Sequence, residues 1–201
     1  GSEMCIRDRV PLSPAQEIAF LSFVQSDTTY RKYYDELVIL LGTGLRISEL
    51  CGLTETDIDL EKRLINVDHQ LTKISGVGYH VDPPKTKSGI RQIPMSSKVY
   101  KAFKRVLENR RGAKPLDVDG YKNFLFLNQN GLPHVAISYD AIFRRLVEKY
   151  NSSHKEPLPK VMTPHTLRHT FCTNLANAGM NPKALQYIIC LLYTSPSPRD
   201  A

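Results

Sequence analysis

Several familiar features are scarce or missing in this 201-residue chain. No apolar run is long enough to cross a bilayer, which excludes a helical membrane span. No secretory signal is recognisable, and the opening Gly1-Ser2 reads as a cloning scar. The four cysteines, Cys5, Cys51, Cys172 and Cys190, never stand in a Cys-x-x-Cys spacing. They indicate neither a disulfide framework nor a zinc site, and read as reduced thiols in a cytosolic protein. Acidic residues are the minority charge: 20 Asp and Glu face 27 Lys and Arg, leaving +7 and a pI near 9.2. That balance points to a polyanionic partner, nucleic acid first. There is no internal repeat, and 41% hydrophobic with 23% charged residues suits one ordinary globular domain with a core.

What is present reads as helices around a short run of strands. Ser13-Pro14-Ala15-Gln16 has the form of a capping box that opens a helix, with Ile18, Phe20, Leu21 and Val24 as its apolar face. A second helix is expected from Tyr34 to Leu41, ended by Gly42 and Gly44. A short third runs from Arg46 to Leu50 and stops at Gly52, with Glu49 as a structural residue that pairs with an arginine or caps backbone. The period then changes. Leu64–Val67, Tyr79–Val81 and Ile90–Pro94 predict three short strands of one antiparallel sheet, with turns at Ser75–Gly78 and Lys87–Gly89. Ser97 to Arg111 returns to helix, burying Val99, Phe103, Val106 and Leu107 and solvating its basic residues. Phe124–Leu127 is a short buried run, and Ile137–Tyr150 another amphipathic helix. A helix from Pro164 to Ala178 is capped by Gly179, and Asn181-Pro182 opens a last one through Ile188. The fold class is therefore α+β, mainly helical with a small three-stranded antiparallel sheet.

The chemistry concentrates in Thr163-Pro164-His165-Thr166-Leu167-Arg168-His169-Thr170. Thr163 suits a helix N-cap and Pro164 the first helical position. His165 and Arg168, three residues apart, then share one face of the first turn, where free N–H groups and the helix dipole already favour a phosphate. A second guanidinium, Arg46, stands in Thr43-Gly44-Leu45-Arg46-Ile47-Ser48-Glu49-Leu50. Arginine forks match phosphate oxygens in pairs, which lysine cannot do. His165 and His169 also have a metal-ligand spacing, but the zincin pattern needs glutamate where Thr166 stands, so no metal site is expected. His169 is expected to pack or bond within the core.

These two boxes, in this order and with a strand segment between them, resemble the signature boxes of tyrosine recombinases, the phage-type integrases, and among them the integrases of conjugative transposons. The resemblance runs from about Leu12 to Ile188. It implies the catalytic fold shared with type IB topoisomerases and strand cleavage and rejoining through a 3′-phosphotyrosyl link. It also implies double-stranded DNA as partner, a tetramer on DNA for the parent enzyme, and no ATP, metal or other cofactor. Carried onto this chain, Arg46 and Arg168 are the phosphate clamp and His165 a donor or proton carrier. Lys87, in Lys85-Thr86-Lys87-Ser88-Gly89-Ile90-Arg91, is the general acid, with Lys85 in reserve. Lys85 and Arg91 are assigned to DNA contact.

The resemblance stops near Ile189. No Gly-His pair follows the second box, and the run to Ala201 is rich in Ser and Pro. Tyr187 reads as core, and Tyr193 is the candidate nucleophile, earlier than the family places it. Residues 1–11 read as a non-family leader, 12–189 as the catalytic domain, and 190–201 as a non-family tail. The chain is thus expected to be a catalytic-domain fragment and a monomer on its own. A non-catalytic DNA-binding fragment and a topoisomerase-like enzyme are the alternatives.

Overall fold

The computed structural model describes residues 10–84, 89–110 and 114–184. Helix α1 spans Pro14–Ser26. Its capping box closes as expected: the Gln16 N–H donates to Ser13 Oγ at 3.2 Å, and the Ser13 N–H to Gln16 Oε1 at 3.0 Å. The helix buries Phe20 and Val24, but Ile18 is 71% exposed. Two residues correspond to about 200° of rotation, so Ile18 cannot share a face with Phe20.

Helix α2, Tyr34–Thr43, is the central element, buried from Glu36 to Leu41 and again at Thr43. An apolar helix with no polar stripe must be covered on all sides, and α2 packs against α1, α4 (Ser97–Glu108) and α6 (Pro164–Asn177). Gly42 does not end α2. It lies inside the helix, where a Cβ would come within 2.4 Å of Val99 Cγ2 on α4. The stop is Gly44, whose φ of 63° is the left-handed conformation that glycine adopts without strain. Helix α3, Ile47–Gly52, follows at once with Arg46 as its N-cap residue.

Strands β1 (Ile58–Asp59), β2 (Leu64–Val67) and β5 (Arg91–Pro94) form a three-stranded antiparallel sheet in the order β1-β2-β5, with Ile65 opposite Ile93. Tyr79–Val81 does not join it. That segment lies in β4 (Gly78–Asp82), which pairs with β3 (Gln70–Ile74) as a separate two-stranded ribbon. The reason is local: a tight turn, with the Val77 N–H on the Ile74 carbonyl, folds β4 back on the chain just before it.

Helix α4 ends at Glu108 rather than Arg111, and α5 runs over Ala136–Ser153. Phe124, Leu125 and Phe126 are buried as expected. Gly179, with φ 78°, follows α6. Residues 182–184 are helical, and the rest of the expected last helix lies outside the described residues. Among the described residues, no helix is long and apolar enough to cross a membrane. The core joins α2 to Phe103, Phe143, Leu146 and Leu167 from the three later helices and to Ile65 from the sheet. Each such side chain contributes about 1.5–3 kcal/mol on burial.

Candidate active site

The turn between α2 and α3 and the first turn of α6 meet at one cleft, lined by Leu45, Arg46, Ile47, Pro164, His165 and Arg168. Two local devices build its first wall. Thr43 Oγ1 donates to the Ile39 carbonyl at 2.6 Å and accepts the Leu45 N–H at 3.3 Å, so the end of α2 is tied off. The chain then turns at Gly44 and enters α3 with Arg46 held twice by Glu49. The Arg46 N–H donates to Oε2 at 2.8 Å, and its Nη1 to Oε1 at 3.0 Å. The Arg46 side chain remains 39% exposed.

The second wall is the start of α6. Thr163 has extended backbone, and its N–H donates to Thr166 Oγ1 at 3.1 Å. Thr170 Oγ1 donates to the Thr166 carbonyl at 2.8 Å and accepts the Leu12 N–H at 2.9 Å, pinning the segment before α1 to α6. This turn leaves His165 exposed and Arg168 half-buried. Arg168 reaches across and donates through Nη1 to the Gly44 carbonyl. A Cβ on Gly44 would sit 2.4 Å from Phe171 Cδ1, so the missing side chain is what lets α6 approach. His169, expected inward, is half-buried.

Two cationic side chains, Arg46 and Arg168, line the cleft. Burial, and then the like charges of Arg46 and Arg91, push the Arg168 guanidinium down to about 10, with Glu49 offsetting only part. Burial pushes the Glu49 carboxyl up, but hydrogen bonds and charge from Arg91 and Arg46 outweigh this and hold it below its ordinary value.

The structure therefore brings Arg46, His165 and Arg168 together. Arg91 lands elsewhere than expected. Its side chain is 0% exposed and its guanidinium grips Glu49, so it is an internal strut, not a surface contact for DNA. Burial of this kind was not readable, because a strand arginine looks the same in sequence whichever way it faces. Lys85, Lys87, Tyr187 and Tyr193 lie outside the described residues.

Gly44, read in the sequence as a helix stop, also supplies the carbonyl that accepts from Arg168. Sequence reasoning missed His69, at the far end of α3, with no signal in its neighbours. It is buried, with Nδ1 2.5 Å from Asp68 Oδ1 and Nε2 2.7 Å from the Gly52 carbonyl at the end of α3. Asp57, Asp68 and His69 offer three ligand atoms within 4.8 Å of one another. The Asp57 Oδ2 atom already accepts from the Thr54 N–H and Oγ1, each at 2.7 Å, so the group works as a hydrogen-bonded brace. A wider groove of about 640 Å³, lined in part by Tyr33, Glu36, His134 and Arg145, shares no residue with the cleft.

The Phage integrase family model matches residues 12–190. The transposase of transposon Tn916 from Enterococcus faecalis is 56% identical over 185 residues, which are 90% of this chain and 45% of that protein. Tyrosine recombinase XerC of Thermodesulfovibrio yellowstonii is 35% identical over 156 residues, 76% of this chain and 44% of its own length. The chain thus spans about half the length of the curated relatives it matches. Among solved structures, the Tn1549 transposon integrase in complex with circular intermediate DNA superposes with a TM-score of 0.88 at 66% identity, covering 90% of this chain and 58% of that one. The crystal structure of XerA recombinase gives a TM-score of 0.66 at 26% identity, over 90% of this chain and 55% of that one. Since the family match, the fold and the meeting of the two boxes agree along the same stretch of sequence, this chain belongs to the phage integrase family, the tyrosine recombinases.

Proposed function

We propose that this chain is the catalytic domain of a site-specific DNA recombinase that integrates or excises a mobile element. The observation that carries the reading is the cleft itself: two arginines and a histidine from segments far apart in sequence converge on one site, and forked guanidinium donors match the paired oxygens of a phosphodiester. The Tn1549 integrase, solved in complex with transposon right end DNA, supports duplex DNA as the ligand.

In this reading Arg46 and Arg168 bind the two non-bridging oxygens and stabilise the charge that builds on them in the transition state. His165 donates to the same phosphate or assists proton movement. A tyrosine oxygen attacks phosphorus in line as its hydroxyl proton passes to His165 or to water, the phosphorus–5′-oxygen bond breaks, and the leaving oxygen takes a proton from Lys87. One phosphoester replaces another, so bond energy is conserved and no ATP is needed. Arginine and lysine supply the electrostatics that a metal would otherwise provide. By resemblance, the whole enzyme works in the cytoplasm as a homo-tetramer on two duplexes, and this chain alone is a monomer.

The second reading, a DNA-binding fragment without cleavage, rests on the run after Ile189, which lacks the family's Gly-His pair. Covalent trapping on nicked suicide duplexes, with peptide mapping of any adduct, separates the two. An adduct at Tyr193 establishes cleavage by this chain. Bound DNA without an adduct favours the fragment, and a repeat with a family C-terminal segment restored then tests the parent activity. In that restored enzyme Arg168→Ala is expected to lower cleavage by about a hundred- to a thousandfold while leaving much of the DNA affinity. Near-normal cleavage would overturn the clamp assignment.

A further inference from the structure

Arg91 is a fully enclosed cation that the chemistry above leaves without a task. An arginine withdrawn from water is tolerated when its donors meet acceptors in good geometry. Here Nη1 and Nη2 make a forked pair with Glu49, at 3.0 Å to Oε1 and 2.9 Å to Oε2, and Nη1 also donates to the Gly89 carbonyl at 3.1 Å. The same two carboxylate oxygens are used from the other side. Oε1 accepts Arg46 Nη1 at 3.0 Å and Oε2 accepts the Arg46 N–H at 2.8 Å. One carboxylate is thus gripped between a buried arginine on β5 and the arginine that lines the cleft.

A forked contact fixes the plane of a carboxylate, which a single point charge does not. The plane of Glu49 in turn sets where Arg46 Nη1 points. The Arg91 charge also bears on the site, because it neutralises Glu49. Without it, that carboxylate would be left to Arg46 and Arg168 as an internal anion competing for the place of a phosphate.

We propose that Arg91 is a positioning residue for Arg46: acting through Glu49, it aims the Arg46 guanidinium and keeps the Glu49 carboxylate from occupying the cleft. The inference rests on the reading of Arg46 as a phosphate ligand, so the test examines the two separately. The probe is inorganic phosphate, titrated into the full 201-residue chain labelled with ¹⁵N at arginine. The readout is the Nε–Hε signals of Arg46 and Arg168, assigned by substitution.

Saturable shifts of both signals are expected in the wild type. Arg91→Met should weaken the phosphate dissociation constant about tenfold, and Glu49→Gln, which keeps the shape and frees Arg46, by a similar factor. Arg91→Lys restores charge but not the fork, and should recover only part of the loss. In an Arg46→Lys background the Arg91→Met change should alter phosphate affinity less than about twofold, since the guanidinium it aims is gone. A purely structural Arg91 would lower the melting temperature and weaken phosphate equally in both backgrounds, which overturns the proposal. Wild-type shifts untouched by Arg91→Met also remove it while leaving the clamp standing. Absence of any phosphate shift in the wild type sinks the clamp and this inference together. If Arg91→Met does not fold, Arg91→Lys in the two backgrounds is judged by the same criterion.

Discussion

Glu36 and Tyr139 show how much a single buried pair can matter. Both are enclosed in the core, where the Tyr139 hydroxyl donates to Glu36 Oε2. Burial pushes the Glu36 carboxyl up to about 7, the tyrosine hydrogen bond offsetting only part. A carboxyl that binds its proton more tightly when folded contributes most below its unfolded value of 4.5, and that contribution is lost as pH rises to about 7. The loss amounts to about 3 kcal/mol across that window. Glu36→Gln should therefore remove much of the fall in stability between pH 5 and pH 8. Urea melts of wild type and variant at both values check this, and parallel falls in the two proteins would show that Glu36 is not responsible. The residues of the cleft differ in legibility for a related reason. Arg46, His165 and Arg168 were readable because the boxes place them by local spacing, and Glu49 because it stands three residues from an arginine on a short helix. Arg91 was misread because which way a strand residue faces depends on what packs against the strand.

The turn from α2 into α3 is constrained in three ways at one residue. Gly44 combines a left-handed backbone, a carbonyl that accepts from Arg168, and contact with Phe171 that leaves no room for a methyl group. Gly44→Ala is expected to cost about 1–3 kcal/mol and to separate α6 from α3. Denaturant unfolding measures the first effect. The phosphate-induced shift of Arg168 measures the second, and an unchanged shift in a destabilised variant would show that the turn does not set the clamp. The helices were legible in the sequence to within a few residues because caps and apolar spacing act locally. The strands were less so. Gln70–Ile74 carries too little apolar alternation to announce a strand, so its partner β4 was assigned to the wrong neighbour.

Across the whole molecule, the +7 charge and the two arginines of the cleft lead to one collective prediction. Duplex DNA binding by this chain should be steeply salt-dependent, losing at least about tenfold in affinity between about 50 and 200 mM salt as condensed counterions are released. Fluorescence anisotropy on a random duplex measures it, and salt-insensitive binding would contradict a phosphate-led interface. The sequence by itself determined the helical frame, the family and the three cleft residues His165, Arg168 and Arg46, because capping, periodicity and signature spacing are short-range properties. Tertiary structure alone decided that Arg91 is enclosed behind Glu49 and that the two box segments, far apart in sequence, meet at one cleft. Both outcomes depend on which distant surface covers a residue, and burial is settled by the packing of the whole chain.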